Sequence, residues 1–346
     1  MDTQSTTAIQ SALAQLAEGQ DLSQEQTQAA FREVMSGRAT AAQIGGLLMA
    51  LRVKGETPAE IAGAAQTMRE LSLRVAVEVP YLVDTCGTGG SGAKLFNIST
   101  AAAFVAAAAG AKVAKHGNRR MTSVSGSADV LEAAGVNLAL QPEQIAHCIR
   151  EVGVGFMFAQ AHHSAMRFAA PVRQELKVRT LMNVLGPLTN PAGAKCQVIG
   201  VFSPQWQTRL AEVLKLLGSE HVLIVHSNGL DEITLSHPSR VVELKAGVIS
   251  DYEISPADFS ITSTSHDGLC ADTPEASLAL LRQSLNEPDS PAADIVSLNA
   301  GAAIYAAGVA TSLGNGVLMA QDAISTGLAS ERLQELVRIT RLMGES

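Results

Sequence analysis

The pattern that most limits how this chain can fold begins at Val77, where short apolar runs start to alternate with longer helical segments. A strand, a helix and a second strand in that order require a crossover, and repeated crossovers build a largely parallel sheet covered by helices. The expected class is therefore α/β. Candidate strands lie at 81–84, 112–115, 154–158, 197–202 and 222–226, with helices near 100–110, 127–134, 142–152 and 206–217. The runs 241–245 and 248–254 flank Ala246-Gly247, which reads as a β-hairpin or a pair of short antiparallel strands. Three helices near 274–285, 291–308 and 321–342 are expected to close the structure.

Before Val77 the signals are helical. In a capping box a hydroxyl accepts a first-turn N–H while Glu or Gln three residues later reaches back. Ser23 with Gln26, Thr40 with Gln43, and Thr57 with Glu60 start three helices in succession, the first two ending near Gly37 and Gly55. Ile9, Leu13 and Leu16 mark an amphipathic helix upstream of them. A length of 346 residues favours two domains over one. We expect residues 1–76 to form a small all-helical N-terminal domain and the rest a large α/β domain with a central, mostly parallel sheet.

The balance of 25 Lys and Arg against 33 Asp and Glu gives a net charge of −8, which disfavours nucleic acid as the main partner. The longest apolar stretch, 101–111, is too short to cross a bilayer, and the N-terminal residues lack a basic segment leading into an apolar one, so no membrane association and a cytoplasmic location are expected. Cys86, Cys148, Cys196 and Cys270 lie far apart with no Cys-x-x-Cys pair, so buried free thiols are expected rather than zinc ligands or a disulfide framework.

The densest chemistry lies in Asp84-Thr85-Cys86-Gly87-Thr88-Gly89-Gly90-Ser91-Gly92, between a strand and a helix. Glycines there let successive N–H groups converge on an anion, and the helix N-terminus adds a favourable dipole. A phosphate site is one reading and an ordinary tight turn the other. Gly87, Gly89 and Gly92 also fit G-x-G-x-x-G, but Ala93 to Phe96 intervene before the helix, and the next strand runs into Lys115-His116 instead of a ribose-binding acid, so a nicotinamide fold is disfavoured. Asn97, Ser99 and Thr100 start the next helix, able either to cap it or to hold ligand oxygens.

Lys115-His116-Gly117-Asn118-Arg119-Arg120, followed by Thr122, Ser123, Ser125 and Ser127, gathers cations and hydroxyls suited to pyrophosphate, with a solvated loop as the alternative. Asn228-Gly229 between apolar runs signals a tight turn, and the following Asp231-Glu232 repel each other unless solvated or bridged by a cation such as Mg2+. His162-His163 lack a third ligand for metal and fit substrate contact or helix capping. Arg173 suits a substrate carboxylate or a surface ion pair with Glu175 or another acid.

In order along the chain, Gly87-Thr88-Gly89-Gly90, Asn97-Ile98-Ser99-Thr100, Lys115-His116-Gly117-Asn118-Arg119, Ser125-Gly126-Ser127-Ala128-Asp129, the run from Asn183 to Pro191 and Gly229-Leu230-Asp231-Glu232 resemble the anthranilate phosphoribosyltransferase family. The resemblance spans roughly residues 10 to 340. It implies transfer of the phosphoribosyl group of phosphoribosyl pyrophosphate (PRPP) to the amine of anthranilate in tryptophan biosynthesis, with Mg2+ as cofactor. By the same resemblance, PRPP contacts fall on Gly87, Gly90, Ser91, Asn97, Ile98, Ser99, Thr100, Lys115, His116, Gly117, Asn118, Arg119, Ser123 and Ser127. Anthranilate contacts fall on Gly87, His116, Asn118, His163, Arg173 and Pro187, and Mg2+ on Ser99, Asp231 and Glu232. Lys115, Asn118 and Arg173 take the catalytic positions. The family fold implies that about 168–190 returns to the helical domain, leaving 77–167 and 191–346 as the α/β domain, with a homodimer formed through the helical domain. Ser91 replaces the Asp usual in the family's glycine loop, and Leu95 a frequent Thr.

Overall fold

The computed structural model describes residues 6–89, 94–119 and 125–344. Helices α1 (Ala8–Ala17), α2 (Gln24–Met35), α3 (Ala41–Lys54) and α4 (Pro58–Leu71) form the N-terminal part, and each starts at a two-way capping box. The three expected boxes are present, joined by one at Thr7 with Gln10. Small residues bring the helices together: a Cβ on Gly63 of α4 would lie 2.4 Å from the carbonyl oxygen of Gln24 at the start of α2.

The sheet then assembles as β1 (Leu82–Gly87), α5 (Ile98–Ala108), β2 (Lys112–Gly117), α6 (Ser127–Ala134), α7 (Pro142–Glu151) and β3 (Val154–Phe158). The short helices α8 (Ala159–His162) and α9 (Ala170–Leu176) lead to β4 (Cys196–Gly200), α10 (Gln205–Leu216), β5 (His221–His226), β6 (Ser239–Lys245) and β7 (Val248–Ile254). Seven strands lie in the order β3-β2-β1-β4-β5-β6-β7; the first five are parallel and the last two antiparallel. The β6–β7 pair is the expected hairpin, turning through Ala246 and Gly247, both at positive φ.

Strand order reverses between β1 and β4, so their crossovers diverge and leave a crevice beyond their carboxyl ends, where open α/β sheets place ligands. Alternation along the strands feeds two cores. Val198, Leu223, Val225 and Val241 face the Ala-rich α5 and α12 (Pro291–Ala306), while Ile199, Val222, Ile224 and Val242 face α10. The second core continues without a break into Phe31, Leu47, Leu48 and Leu51 of the helical part, and into Val172, Leu181, Leu185 and Leu188 from the segment after α8. Helices and sheet therefore share one apolar interior on that face.

Two expectations need correction. The helix expected at 321–342 is two: after α11 (Pro274–Asn286) and α12, α13 (Leu313–Ser325) starts at a Ser312 cap, and Gly327, at φ +78°, turns the chain into α14 (Leu328–Gly344). Of the four free cysteines only Cys148 is buried; Cys86 and Cys196 are partly exposed and Cys270 is exposed, because its strand-like bridge to Leu95 lies at the surface. Among the described residues no helix is long and apolar enough to cross a membrane.

Candidate active site

A cleft of about 210 Å3 opens at the carboxyl ends of β1 and β2 beside the β5–β6 connection. Of the sequence-predicted residues, Gly87, Asn97, Ser99, Lys115, His116, Gly117, Asn118, Ser127, Asp231 and Glu232 line it together. Gly90, Ser91 and Ser123 lie outside the described residues.

The strand ends are glycine because other backbone and side-chain atoms crowd them. A Cβ on Gly87 would come within 3.2 Å of an Asp231 carboxylate oxygen, one on Gly200 within 1.7 Å of the Asp231 carbonyl oxygen, and one on Gly117 within 2.1 Å of Ser127 Oγ. These contacts let the carboxylate loop and the start of α6 close on the cleft. The turn before the carboxylates is the expected one: Asn228 and Gly229 both have positive φ, and Ser227 and Leu230 exchange backbone hydrogen bonds across it.

Lys115 is the electrostatic centre. It is 2% exposed and donates from Nζ to the Thr85 carbonyl at 2.5 Å and to Ser99 Oγ at 3.3 Å. Burial lowers its pKa from the ordinary lysine value, and the charges of Asp84, Cys86 and Glu232 partly offset this. Burial, then the neighbouring Asp231 charge, pushes the Glu232 carboxyl up to about 8, although Lys115 and the Ser99 backbone N–H at the start of α5 favour its ionised form. Asp84, missed as a site residue by the sequence reasoning, is fully buried beneath the cleft; its Oδ1 accepts the His116 N–H at 3.1 Å, its Oδ2 has no partner, and burial raises its pKa.

Asn97 does not cap α5. Its Oδ1 accepts from Ser277 Oγ at 2.7 Å and its Nδ2 donates to the Ser125 carbonyl at 3.1 Å, so the side chain is held across the cleft wall. Ile98 and Thr100 are buried in the first turn of α5 and do not line the cleft. Arg119 also stands apart: its guanidinium pairs with Glu132 and Asp129 of α6 and lies 5.4 Å over the Phe158 ring.

A second group flanks His116. Its ring meets that of His163 edge-on at 5.1 Å, and the Nε2 atoms of both are buried without partners. Burial, reinforced by neighbouring imidazoles, holds His116 down to about 3 and His163 to about 4, so both rings are neutral near pH 7. His162 turns away and bonds through Nδ1 to the Leu73 carbonyl at 2.6 Å. The 3₁₀ turn Gly186–Leu188 carries the buried Pro187, whose carbonyl accepts from Gln197. Arg173, half-buried on α9, makes no side-chain hydrogen bond or ion pair among the described residues, so the alternative of a pair with Glu175 is not realised; burial lowers its pKa. Neither Arg173, His163 nor Pro187 lines the 210 Å3 cleft.

No group of three or more His, Cys, Asp or Glu side chains placed to hold a metal ion occurs among the described residues. A cation at Asp231 and Glu232 must therefore complete its shell with other oxygens, as Mg2+ does with water and substrate phosphates. The unfavourable ionisation of Glu232 beside Asp231 is what such a cation relieves.

Comparisons with known proteins identify the family of the whole chain. Residues 10–72 match the model of the glycosyl transferase family helical bundle domain and residues 79–330 that of its a/b domain. The anthranilate phosphoribosyltransferase of Ectopseudomonas mendocina is 57% identical over 96% of this chain and 97% of its own length, and that of Teredinibacter turnerae 56% identical over 96% and 99%. Among solved structures, the Thermus thermophilus anthranilate phosphoribosyltransferase superposes with a TM-score of 0.91 at 44% identity, covering 95% of this chain and 99% of that one. The Saccharomyces cerevisiae enzyme in complex with PRPP and Mg shares the fold at a TM-score of 0.86 and 24% identity, covering 96% and 98%.

Proposed function

The chain belongs to the anthranilate phosphoribosyltransferase family and transfers the phosphoribosyl group of PRPP to the amine of anthranilate in tryptophan biosynthesis; we propose that the cleft at the ends of β1 and β2 holds PRPP and the His116–His163 side takes anthranilate. The observation that carries the assignment is the buried Lys115 between the α5 N-terminus and the Asp231-Glu232 pair, at the point where strand order reverses.

In the reaction the anthranilate nitrogen bonds to ribose C1 as the C1–oxygen bond to pyrophosphate breaks, and the amine gives up a proton. The barrier lies in leaving-group charge and alignment, so no covalent nucleophile is needed. Lys115 and the positive end of the α5 dipole meet the developing negative charge; the Thr88, Ile98 and Thr100 N–H groups are bonded within the chain, so the loop donors are proposed on the sequence alone. Asn97, Ser99 and Ser127 orient the diphosphate from the walls, with Gly90, Ser91 and Ser123 proposed on the sequence alone. Asp231, Glu232 and Ser99 Oγ hold Mg2+, which when bound neutralises pyrophosphate charge. Arg173, with no partner of its own, pairs with the anthranilate carboxylate, while Asn118, His163 and Pro187 line its path. Arg119 reaches the diphosphate only by exchanging Glu132 for it.

We further propose a division at 1–76 with 168–190 against 77–167 with 191–346, supported by the packing of Val172, Leu181 and Leu185 on the helical core. A homodimer through the helical part is proposed on the family resemblance. A cytoplasmic setting is supported by four cysteines that remain free. The function is tested by following anthranilate fluorescence with anthranilate, PRPP and Mg2+ each omitted in turn. Loss of signal only in the complete mixture is expected; consumption without PRPP, or phosphorolysis of thymidine or uridine in its place, overturns the assignment.

A further inference from the structure

The carboxylate loop between β5 and β6 is fastened on both sides by side chains that do not line the cleft. His226, the last residue of β5, donates from Nδ1 to the Val201 carbonyl at 2.7 Å. A carbonyl only accepts, so the ring proton lies on Nδ1 and Nε2 keeps a lone pair. That lone pair accepts the Gly229 N–H at 3.2 Å. On the other side Asn299, 3% exposed on α12, pairs with Ile233 as a neighbouring strand would. Its Oδ1 accepts the Ile233 N–H at 3.0 Å, and its Nδ2 donates to the Ile233 carbonyl at 2.8 Å and the Ile295 carbonyl at 2.9 Å. Only Leu230, Asp231 and Glu232 separate Gly229 from Ile233. The loop has no slack toward the sheet either, because the Asp231 carbonyl already fills the space over Gly200.

We infer that His226 and Asn299 are positioning residues that fix the separation of the Asp231 and Glu232 carboxylates and thereby set the affinity for a divalent metal. The inference rests on the reading of those carboxylates as metal ligands. Partners that hydrogen-bond a metal's ligands typically change its affinity 10- to 100-fold when lost. His226 and Asn299 act one step further out, through the backbone of Gly229 and Ile233, so the lower end of that range is expected.

The test is Mn2+ binding to the full-length protein with saturating PRPP and no anthranilate, read by water-proton relaxation so that no turnover is needed, with a thermal unfolding midpoint for each variant. His226→Asn keeps the donor to Val201 but does not reach Gly229, whereas His226→Gln places an amide oxygen near the lost Nε2. The expected result is binding weakened about 10-fold in His226→Asn and Asn299→Ala, with most of the affinity restored in His226→Gln. Wild-type Mn2+ affinity in His226→Asn and Asn299→Ala overturns the inference, and so does a lowered unfolding midpoint with unchanged affinity. If Asn299→Ala does not fold, the two His226 variants decide. Asp231→Asn with Glu232→Gln is the control: wild-type binding there overturns the ligand reading itself, whereas its loss there with none in the His226 variants overturns the positioning role alone.

Discussion

Two buried polar clusters lie at opposite ends of the same sheet, and only one of them is satisfied. At the amino end of β5, His221 Nε2 bonds Glu243 Oε1 at 2.8 Å and Tyr252 donates to Glu243 Oε2 at 2.8 Å, while the Tyr305 ring packs against His221. Burial opposes the Glu243 charge, yet hydrogen bonds from His221, Tyr252 and Tyr305 bring its pKa down to about 2. At the carboxyl ends, Asp84 Oδ2, His116 Nε2 and His163 Nε2 are left without partners, and Glu232 is pushed up to about 8. Of the buried groups without a hydrogen-bond partner among the described residues, His116 lines the cleft, where a ligand can complete it, whereas the Glu56 carboxylate and Gln207 Oε1 also lack one and do not line it.

The largest effect separating the two ends is expected from Lys115→Met, which removes the central cation and should lower kcat/KM by ~10³-fold, since one preorganised charge contact is worth 10²-fold or more. Glu243→Gln at the far end should leave kcat/KM unchanged in the same assay. In the reverse sense, His221→Leu strips Glu243 of a buried partner and should cost about 2 kcal/mol in denaturant unfolding with kcat intact. Arg173→Ala comes next: the anthranilate KM should rise about 10-fold, the worth of one charge-assisted pair, with the PRPP KM nearly constant. Equal rises in both would remove Arg173 from the acceptor side.

The smallest effect is the most discriminating, because the two ends respond to pH with opposite sign. The pKa of Glu232 is raised on folding, so its contribution to the stability of the ligand-free protein is complete below its unfolded value of 4.5 and is lost as pH rises through about 8. The pKa of Glu243 is lowered, so its contribution is present above 4.5 and is lost as pH falls through about 2. Unfolding midpoints between pH 5 and 8 should therefore decline less steeply in Glu232→Gln than in the parent, and Glu243→Gln should leave that slope alone.

Much of this was legible in the sequence where the determining contacts are local. Ser23, Thr40 and Thr57 cap their helices through partners three residues away, and Asn228-Gly229 makes its turn from its own φ preferences. The cleft was legible because topology brings to one place Gly87 and Lys115, at strand ends, and Asp231, in the loop after β5. What was hidden depends on distant partners. Asn97 is drawn from capping by Ser277, 180 residues on, and Arg119 is taken up by Glu132 on the next helix. Asp84 gives no signal beyond its place in the glycine-rich run, since its burial is decided by the strands paired on either side of β1. The break at Gly327 was masked by apolar periodicity that continues across it.

The most direct test is a crystal structure of the protein with PRPP and Mg2+. The diphosphate should lie between the Gly87 loop, Lys115 Nζ and the α5 N-terminus, with the metal bridging it to Asp231 and Glu232. A diphosphate bound elsewhere, or in that cleft with the metal remote from both carboxylates, would contradict the account.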